Sequence, residues 1–249
     1  MRNIEEYQED YLDNPFEDQM LVFRHRKTLE TIQQYPTSSI LEIGCGLRPI
    51  FDYYNGFEQL TIVEPSQGFC ERAKQRAPKN VKIINDYFST PILTRLAPHY
   101  DFIVISSLLH ELEHPDAMLA DVWSLADTET VVHVNVPNAR SLHRQVALNM
   151  GLISDLTDKS PRQIRFQQHH TFDLDSIQAL VRTCGFDIIA AETFFLKPFT
   201  HGQMQSMLDA GSIDTHVLEG LYHVCNDLPG LGAEIMLNIR KGSQIESTV

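Results

Sequence analysis

The sequence predicts an α/β fold: a doubly wound, mostly parallel sheet with helices on both faces. Three observations carry that reading. From residue 39 to residue 137, short apolar runs alternate with helix-length amphipathic segments, the rhythm of strands joined by crossovers. The first run, Ser39-Ile40-Leu41-Glu42-Ile43, breaks into Gly44-Cys45-Gly46, where glycine permits a positive φ and the close approach of a ligand. Four successive runs end in acidic or polar groups, at Glu42, Glu64, Asp86 and Ser106. Open α/β sheets bind ligands beyond the carboxyl ends of their strands, so these four ends mark a binding rim.

Taken in order, Met1 to Tyr35 reads as helical. Met20, Leu21, Phe23, Leu29 and Ile32 make its apolar stripe, Asn14-Pro15 breaks it and Pro36 stops it. It forms a cap over 1–36, ahead of a main domain over 37–249. Its Tyr7, Tyr11, Phe16, Phe23 and Arg24 either reach across a ligand or pack on the domain with Arg24 in solvent. Strands are expected over Ser39 to Ile43, Leu60 to Val63, Val81 to Ile84, Asp101 to Ile105 and Thr130 to Val136. Phe51 to Tyr54, Ser66 to Arg76, Pro91 to Leu96 and Asp116 to Leu125 read as the intervening helical pieces. After Pro137 come a helix over Ser141 to Met150 and an aperiodic stretch over Leu152 to His170, with the character of a functional cover. A helix over Asp173 to Cys184 precedes strand six, Phe186 to Phe195. Helices over Thr200 to Leu208 and Ile213 to Val224 precede a last strand over Gly232 to Lys241, with Ile235, Leu237 and Ile239 on one side. Cover insertions are thus placed around 140–172 and 200–226, and the tail from Gly242 is expected to fray.

The formal charge of −13, from 20 Lys+Arg against 33 Asp+Glu, argues against a nucleic-acid partner, whose phosphates need a basic surface. Arg24-His25-Arg26-Lys27 could still form a local basic patch. The four cysteines, Cys45, Cys70, Cys184 and Cys225, form no Cys-x-x-Cys pair, so no zinc site is expected and reduced thiols are the default. Met1-Arg2-Asn3-Ile4-Glu5-Glu6 is polar and acidic rather than a leader, and no apolar run reaches membrane-spanning length. The expectation is a soluble, cytoplasmic monomer or homodimer without a membrane partner.

Leu41-Glu42-Ile43-Gly44-Cys45-Gly46, Val63-Glu64-Pro65-Ser66 and Asn85-Asp86-Tyr87 resemble the first, second and third motifs of the class I S-adenosylmethionine-dependent methyltransferases. The resemblance is good over roughly residues 20 to 140. It implies a Rossmann-like sheet of seven strands with the last antiparallel, and S-adenosylmethionine as cofactor. It departs from the family at Arg48, which stands where a third glycine is usual.

Each part of that cofactor asks for its own partner. The ribose diol needs a carboxylate, and Glu64 lies 18 residues after Gly46, the logic of the acidic residue in dinucleotide folds. Asp86 is the expected acceptor for the adenine amine, with Tyr87 or Phe88 beside the ring. Gly44, Cys45 and Gly46, with Pro65 nearby and Ser106 at the end of strand four, are expected around the rest. Glu42 is expected to reach the methionine amine. Methyl transfer to a hydroxyl calls for a general base, for which histidine suits. His110, His143, His169 and His170 are the candidates, with His110 and His143 carried forward as catalytic. His110-Glu111 reverses a Glu-His pair common in small-molecule members. His110-Glu111-Leu112-Glu113-His114 also spells a metalloprotease string, but Pro115 stops any helix that would carry both histidines. Asn138 and Arg140, after strand five, are further candidates for holding a polar acceptor.

The expected function is methylation of a small-molecule O or N acceptor: a sugar, nucleotide sugar, quinone precursor or other metabolite. Two alternatives stand beside it. A nicotinamide oxidoreductase would want Gly-x-Gly-x-x-Gly, whereas no glycine follows Gly46 until Gly56. A non-catalytic cofactor-binding relative is the other.

Overall fold

The computed structural model describes residues 14–242. The expected helix before Asn14, with Tyr7 and Tyr11, and the tail beyond Gly242 lie outside the described residues. Seven strands form one sheet: β1 (Ser39–Ile43), β2 (Gln59–Glu64), β3 (Val81–Asn85), β4 (Phe102–Ser106), β5 (Val131–Pro137), β6 (Phe186–Phe194) and β7 (Glu234–Lys241). Their order is β3-β2-β1-β4-β5-β7-β6. β1 to β5 run parallel, and β7 is antiparallel to both β5 and β6.

Period-two alternation divides the apolar residues between two faces. Leu41, Ile43, Ile103, Ile105, Val132 and Val134 face one core, shared with Met118, Leu119 and Val122 of α3 (Pro115–Leu125) and Ile177 and Val181 of α6 (Leu174–Thr183). Ile40, Ile62, Phe102, Val104 and Val131 face the other, shared with Ile32 of α1 (Glu17–Ile32). Glu42 and Glu64 share the parity of Ile40 and Ile62, so both carboxylates emerge on the α1 side.

The other helices are α2 (Gln67–Lys74), α4 (Leu142–Asn149), α5 (Pro161–Arg165), α7 (His201–Asp209) and α8 (Thr215–Val224). The segments expected as short helices after β1 and β3 are 3-10 turns, Ile50–Asp52 and Thr90–Arg95. β7 begins at Glu234 rather than Gly232. A Cβ on Gly232 would stand 2.5 Å from the Phe194 backbone nitrogen, so that glycine serves close passage of two chain segments.

α1 does not end in solvent. Phe16, Met20 and Phe23 join Phe194, Phe195, Met204, Leu218 and Tyr222 in a third core, with Phe23 stacked on Phe195 at 4.2 Å. The basic run of α1 is consumed internally: Arg24 pairs with Glu17 and Glu234, Arg26 with Glu219, and Lys27 with Glu30 and Glu192.

Between α1 and the sheet lies a polar seam that the sequence reading missed. His133 on β5 is fully buried, and burial holds its pKa down to about 4. It is therefore neutral, and its partners fix its tautomer. Nδ1–H donates to Asn238 Oδ1 at 2.8 Å, and Nε2 accepts from Asn135 Nδ2 at 3.0 Å. Asn135 Oδ1 in turn accepts the Ser106 hydroxyl at 2.6 Å. The seam thus takes up the proton of Ser106, and towards any ligand the Ser106 oxygen is left as an acceptor.

Candidate active site

The strand order reverses between β1 and β4: β2 and β3 lie to one side, β5, β7 and β6 to the other. Crossovers leaving in opposite directions open a crevice at the carboxyl ends of β1 and β4. A cavity of about 940 Å³ lies there. Glu42, Gly44, Cys45, Gly46, Glu64, Pro65, Tyr87, Ser106, His110 and His143 all line it. Asp86 does not. Its carboxylate accepts from the Tyr87 N–H and pairs with Arg95 at 2.8 Å, on an exposed edge beside β3. Of the residues expected around an adenine, Asp86 thus stands outside the cavity lining, whereas half-exposed Tyr87 and buried Phe88 both reach the wall.

Gly44 and Gly46 have φ of +78° and +53°, the left-handed region that glycine enters without strain. Glu64 ties this turn to β2. Its Oε2 accepts from Cys45 N at 3.0 Å and Gly46 N at 3.2 Å, and its Oε1 from Ser66 N at 2.8 Å. Three backbone donors converging on one buried carboxylate hold the loop's shape before any ligand arrives. Glu42 also is buried, and both its oxygens lie 3.0–3.2 Å from Ile50 N. Burial raises its pKa to about 8; the Ile50 N–H opposes the rise, and the charges of Glu64 and Asp52 add to it. Glu42 is thus largely a neutral acid at pH 7. Arg48 is exposed and lines the cavity, so its side chain extends along the margin of the site. His25, stacked on Tyr53 at 3.8 Å, is kept neutral by burial and then by Arg24 and Arg48, which hold its pKa near 3.

The other half of the cavity is built on β4, β5 and β7. His110 sits in a 3-10 turn, Leu109–Glu111, directly after β4 and is buried. Its carbonyl accepts from the N–H groups of His169 and His170 at 2.9 and 3.0 Å, which ties the end of the 152–170 stretch to the turn. His114 lies outside that turn, as the N-cap of α3 with Pro115 at the first helical position, so the two histidines stand on different elements. Among the described residues no group of three or more His, Cys, Asp or Glu is placed to hold a metal ion. Arg140 is exposed and is not among the residues lining the cavity, whereas Asn138 lines it while its amide donates to the carbonyls of Gly230 and Gly232.

A further wall is ionic, and of its residues only Arg24 was expected near a ligand. Arg24 bridges Glu17 and Glu234, all three buried, and buried Lys197 donates to His201 Nδ1 at 2.7 Å. All five line the cavity. Glu234 belongs there because β7 is antiparallel: its first residue pairs with Pro137, the last of β5, on the same rim. Arg144 of α4 organises the 152–170 stretch by donating to the carbonyls of Leu156 and Asp158 and to Gln163. Among the described residues no helix is long and apolar enough to cross a membrane.

The comparisons agree with this architecture. A family model described as a methyltransferase domain matches residues 19–191. No curated protein matches the chain in sequence. Solved structures similar to it include the [4+2]-cyclase SpnF, at 16% identity and a TM-score of 0.57 over 88% of this chain and 80% of that one. The plantazolicin methyltransferase BamL, solved with S-adenosylhomocysteine, is 15% identical with a TM-score of 0.54, over 84% and 79%. The N-methyltransferase NodS from Bradyrhizobium japonicum, also in complex with S-adenosylhomocysteine, is 14% identical with a TM-score of 0.53, over 93% and 90%. At these identities the structures speak to the fold, whereas the family model spans more than half of the sequence. The chain belongs to the methyltransferase domain family, and its motifs and fold are those of the class I, S-adenosylmethionine-dependent type.

Proposed function

We propose that the chain transfers a methyl group from S-adenosylmethionine to an oxygen or nitrogen of a small molecule of the sugar, nucleotide-sugar or quinone-precursor kind. The observation that carries this is one continuous cavity joining the glycine turn and the two strand-end glutamates to a histidine-bearing turn and an ionic wall. At about 940 Å³ it lies near the top of the range of about 300–1,000 Å³ for small-molecule sites, room for a cofactor and a metabolite together.

The residues fit the cofactor. Glu64 offers a carboxylate for the diol, Glu42 and the Ser106 oxygen are acceptors for an amine, Gly44 leaves the turn free of a side chain, and Tyr87 offers a ring face. S-adenosylmethionine supplies an electrophilic methyl group, so the protein's work is to bind, orient and exclude water. α1 and the cover over 140–172 close the acceptor half, and His110 takes the acceptor's proton at a ring nitrogen. BamL and NodS, by name a plantazolicin methyltransferase and an N-methyltransferase, support the small-molecule class by analogy of fold. The neighbouring cyclase is the reason to test turnover itself.

The test is release of labelled methyl to a panel of hydroxyl and amine metabolites. We expect transfer to at least one, and a fall in kcat of about 100-fold or more in His110→Gln with S-adenosylhomocysteine affinity unchanged. A loss below tenfold removes His110 from the base role. Binding without transfer across the panel favours the non-catalytic reading.

A further inference from the structure

We propose that the acceptor is amphipathic, its reacting polar end inside the cavity and an apolar body lying on a stripe of α4 that runs from the cavity wall to the protein surface. The proposal rests on the methyltransferase reading above.

α4 is a cover helix without a single buried residue. His143 and Ala147 of this helix line the cavity. Val146 and Met150 stand three and seven positions after His143, on the same helical face, and are 40% and 66% exposed. The helix then stops on Gly151, with φ of +70°. Gly151 N donates to Leu148 O at 3.0 Å and Leu152 N to Ala147 O at 2.9 Å, the paired bonds of a Schellman turn. That reversal brings Leu152, 69% exposed, back beside cavity-lining Ala147. Arg144 reaches from the same helix to Gln163 at 3.2 Å, and the next residue, Ile164, is 65% exposed.

Single exposed apolar side chains are ordinary. Here they follow one face of α4 and its terminal turn, starting from His143, a residue that already lines the site. A stripe meant only to seat α4 on its own domain would be buried. The interior of the cavity does not take apolar matter cheaply. Glu17, Arg24, Lys197 and Glu234 are buried in its wall, paired among themselves and with His201, and covering them with an apolar group would strip what solvation those charges keep. A ligand with one polar and one apolar end therefore has one orientation: polar end inward, apolar body out along Ala147, Met150 and Leu152.

The test uses 4-n-alkylphenols, from ethyl to hexyl, titrated calorimetrically into the protein saturated with S-adenosylhomocysteine. We expect Kd to fall about fourfold per added methylene. Met150→Ser combined with Leu152→Ser changes two exposed positions, which spares folding. It is expected to flatten the series and to weaken hexylphenol binding at least about tenfold, with affinity for S-adenosylhomocysteine retained. A series of equal affinities, no binding by any member, or an unaltered series in the double variant overturns the proposal. Failure of S-adenosylhomocysteine itself to bind overturns the methyltransferase reading and this inference with it.

Discussion

Glu64→Ala is expected to lower both stability and cofactor affinity, more than a ligand contact alone would account for. The carboxylate accepts from the backbone of Cys45, Gly46 and Ser66, so its removal takes the acceptor from three N–H groups at once. Hydrogen bonds to charged groups contribute about 1.5–3 kcal/mol each, and the half-exposed Gly46 recovers part of its share from water. A net loss of about 3–4 kcal/mol follows, a fall in melting temperature of roughly 6–16 °C for a chain of this size. Affinity for S-adenosylhomocysteine is expected to drop about 100-fold or more, because the proposed diol acceptor and the shape of the glycine turn are lost together. Glu64→Gln keeps one acceptor oxygen and should fall between. Thermal melts and calorimetry read both effects; an alanine variant with unchanged melting temperature would mean that the turn holds itself.

At Glu42 stability and binding are expected to move in opposite directions. An unfolded glutamate ionises near 4.5, whereas the folded one keeps its proton up to about 8. Between those values the folded chain binds more protons than the unfolded chain, so stability falls as pH rises through that window. The whole shift corresponds to roughly 4 kcal/mol by pH 8. Glu42→Gln removes this pH dependence and is expected to stabilise the ligand-free protein by about 2–3 kcal/mol at pH 8, with little change near pH 4. The same variant should bind S-adenosylhomocysteine more weakly. In the parent protein the ligand's ammonium favours the ionised carboxylate, so affinity should rise by up to about tenfold per unit from pH 6 to 7.5 and level off as pH passes about 8, where Glu42 ionises without the ligand. In the variant that rise should vanish. A pH-independent affinity in the parent would place the amine elsewhere.

What the sequence disclosed was local. β1 has the same bounds as its apolar run, and the glycine turn and Glu64 sit at strand ends because period-two alternation and glycine chemistry act over a few residues. What it concealed depends on partners far along the chain. Arg24 and Glu234 are 210 residues apart, so neither announces a buried pair. A signal for Glu234 did exist: an acidic residue heading an antiparallel strand lies on the same rim as acidic residues ending parallel ones. Asp86 carried the same strand-end signature as Glu64, yet β3 is an outer strand and Arg95 draws its carboxylate outwards. α5, in the stretch read as aperiodic, is five residues long, too short to show a period, and Gln163 within it is held by Arg144, 19 residues away. His133 and Asn135 look like interruptions of an apolar strand until α1 and β7 supply their partners.

Whether the crevice at the ends of β1, β2 and β4 holds an adenosyl-sulfonium cofactor is decided by titrating the chain with S-adenosylhomocysteine, followed by calorimetry and by the melting temperature. The predicted result is saturable one-to-one binding that raises the melting temperature as a ligand of the native state must. A folded protein that shows neither heat nor a shift at millimolar ligand would contradict it.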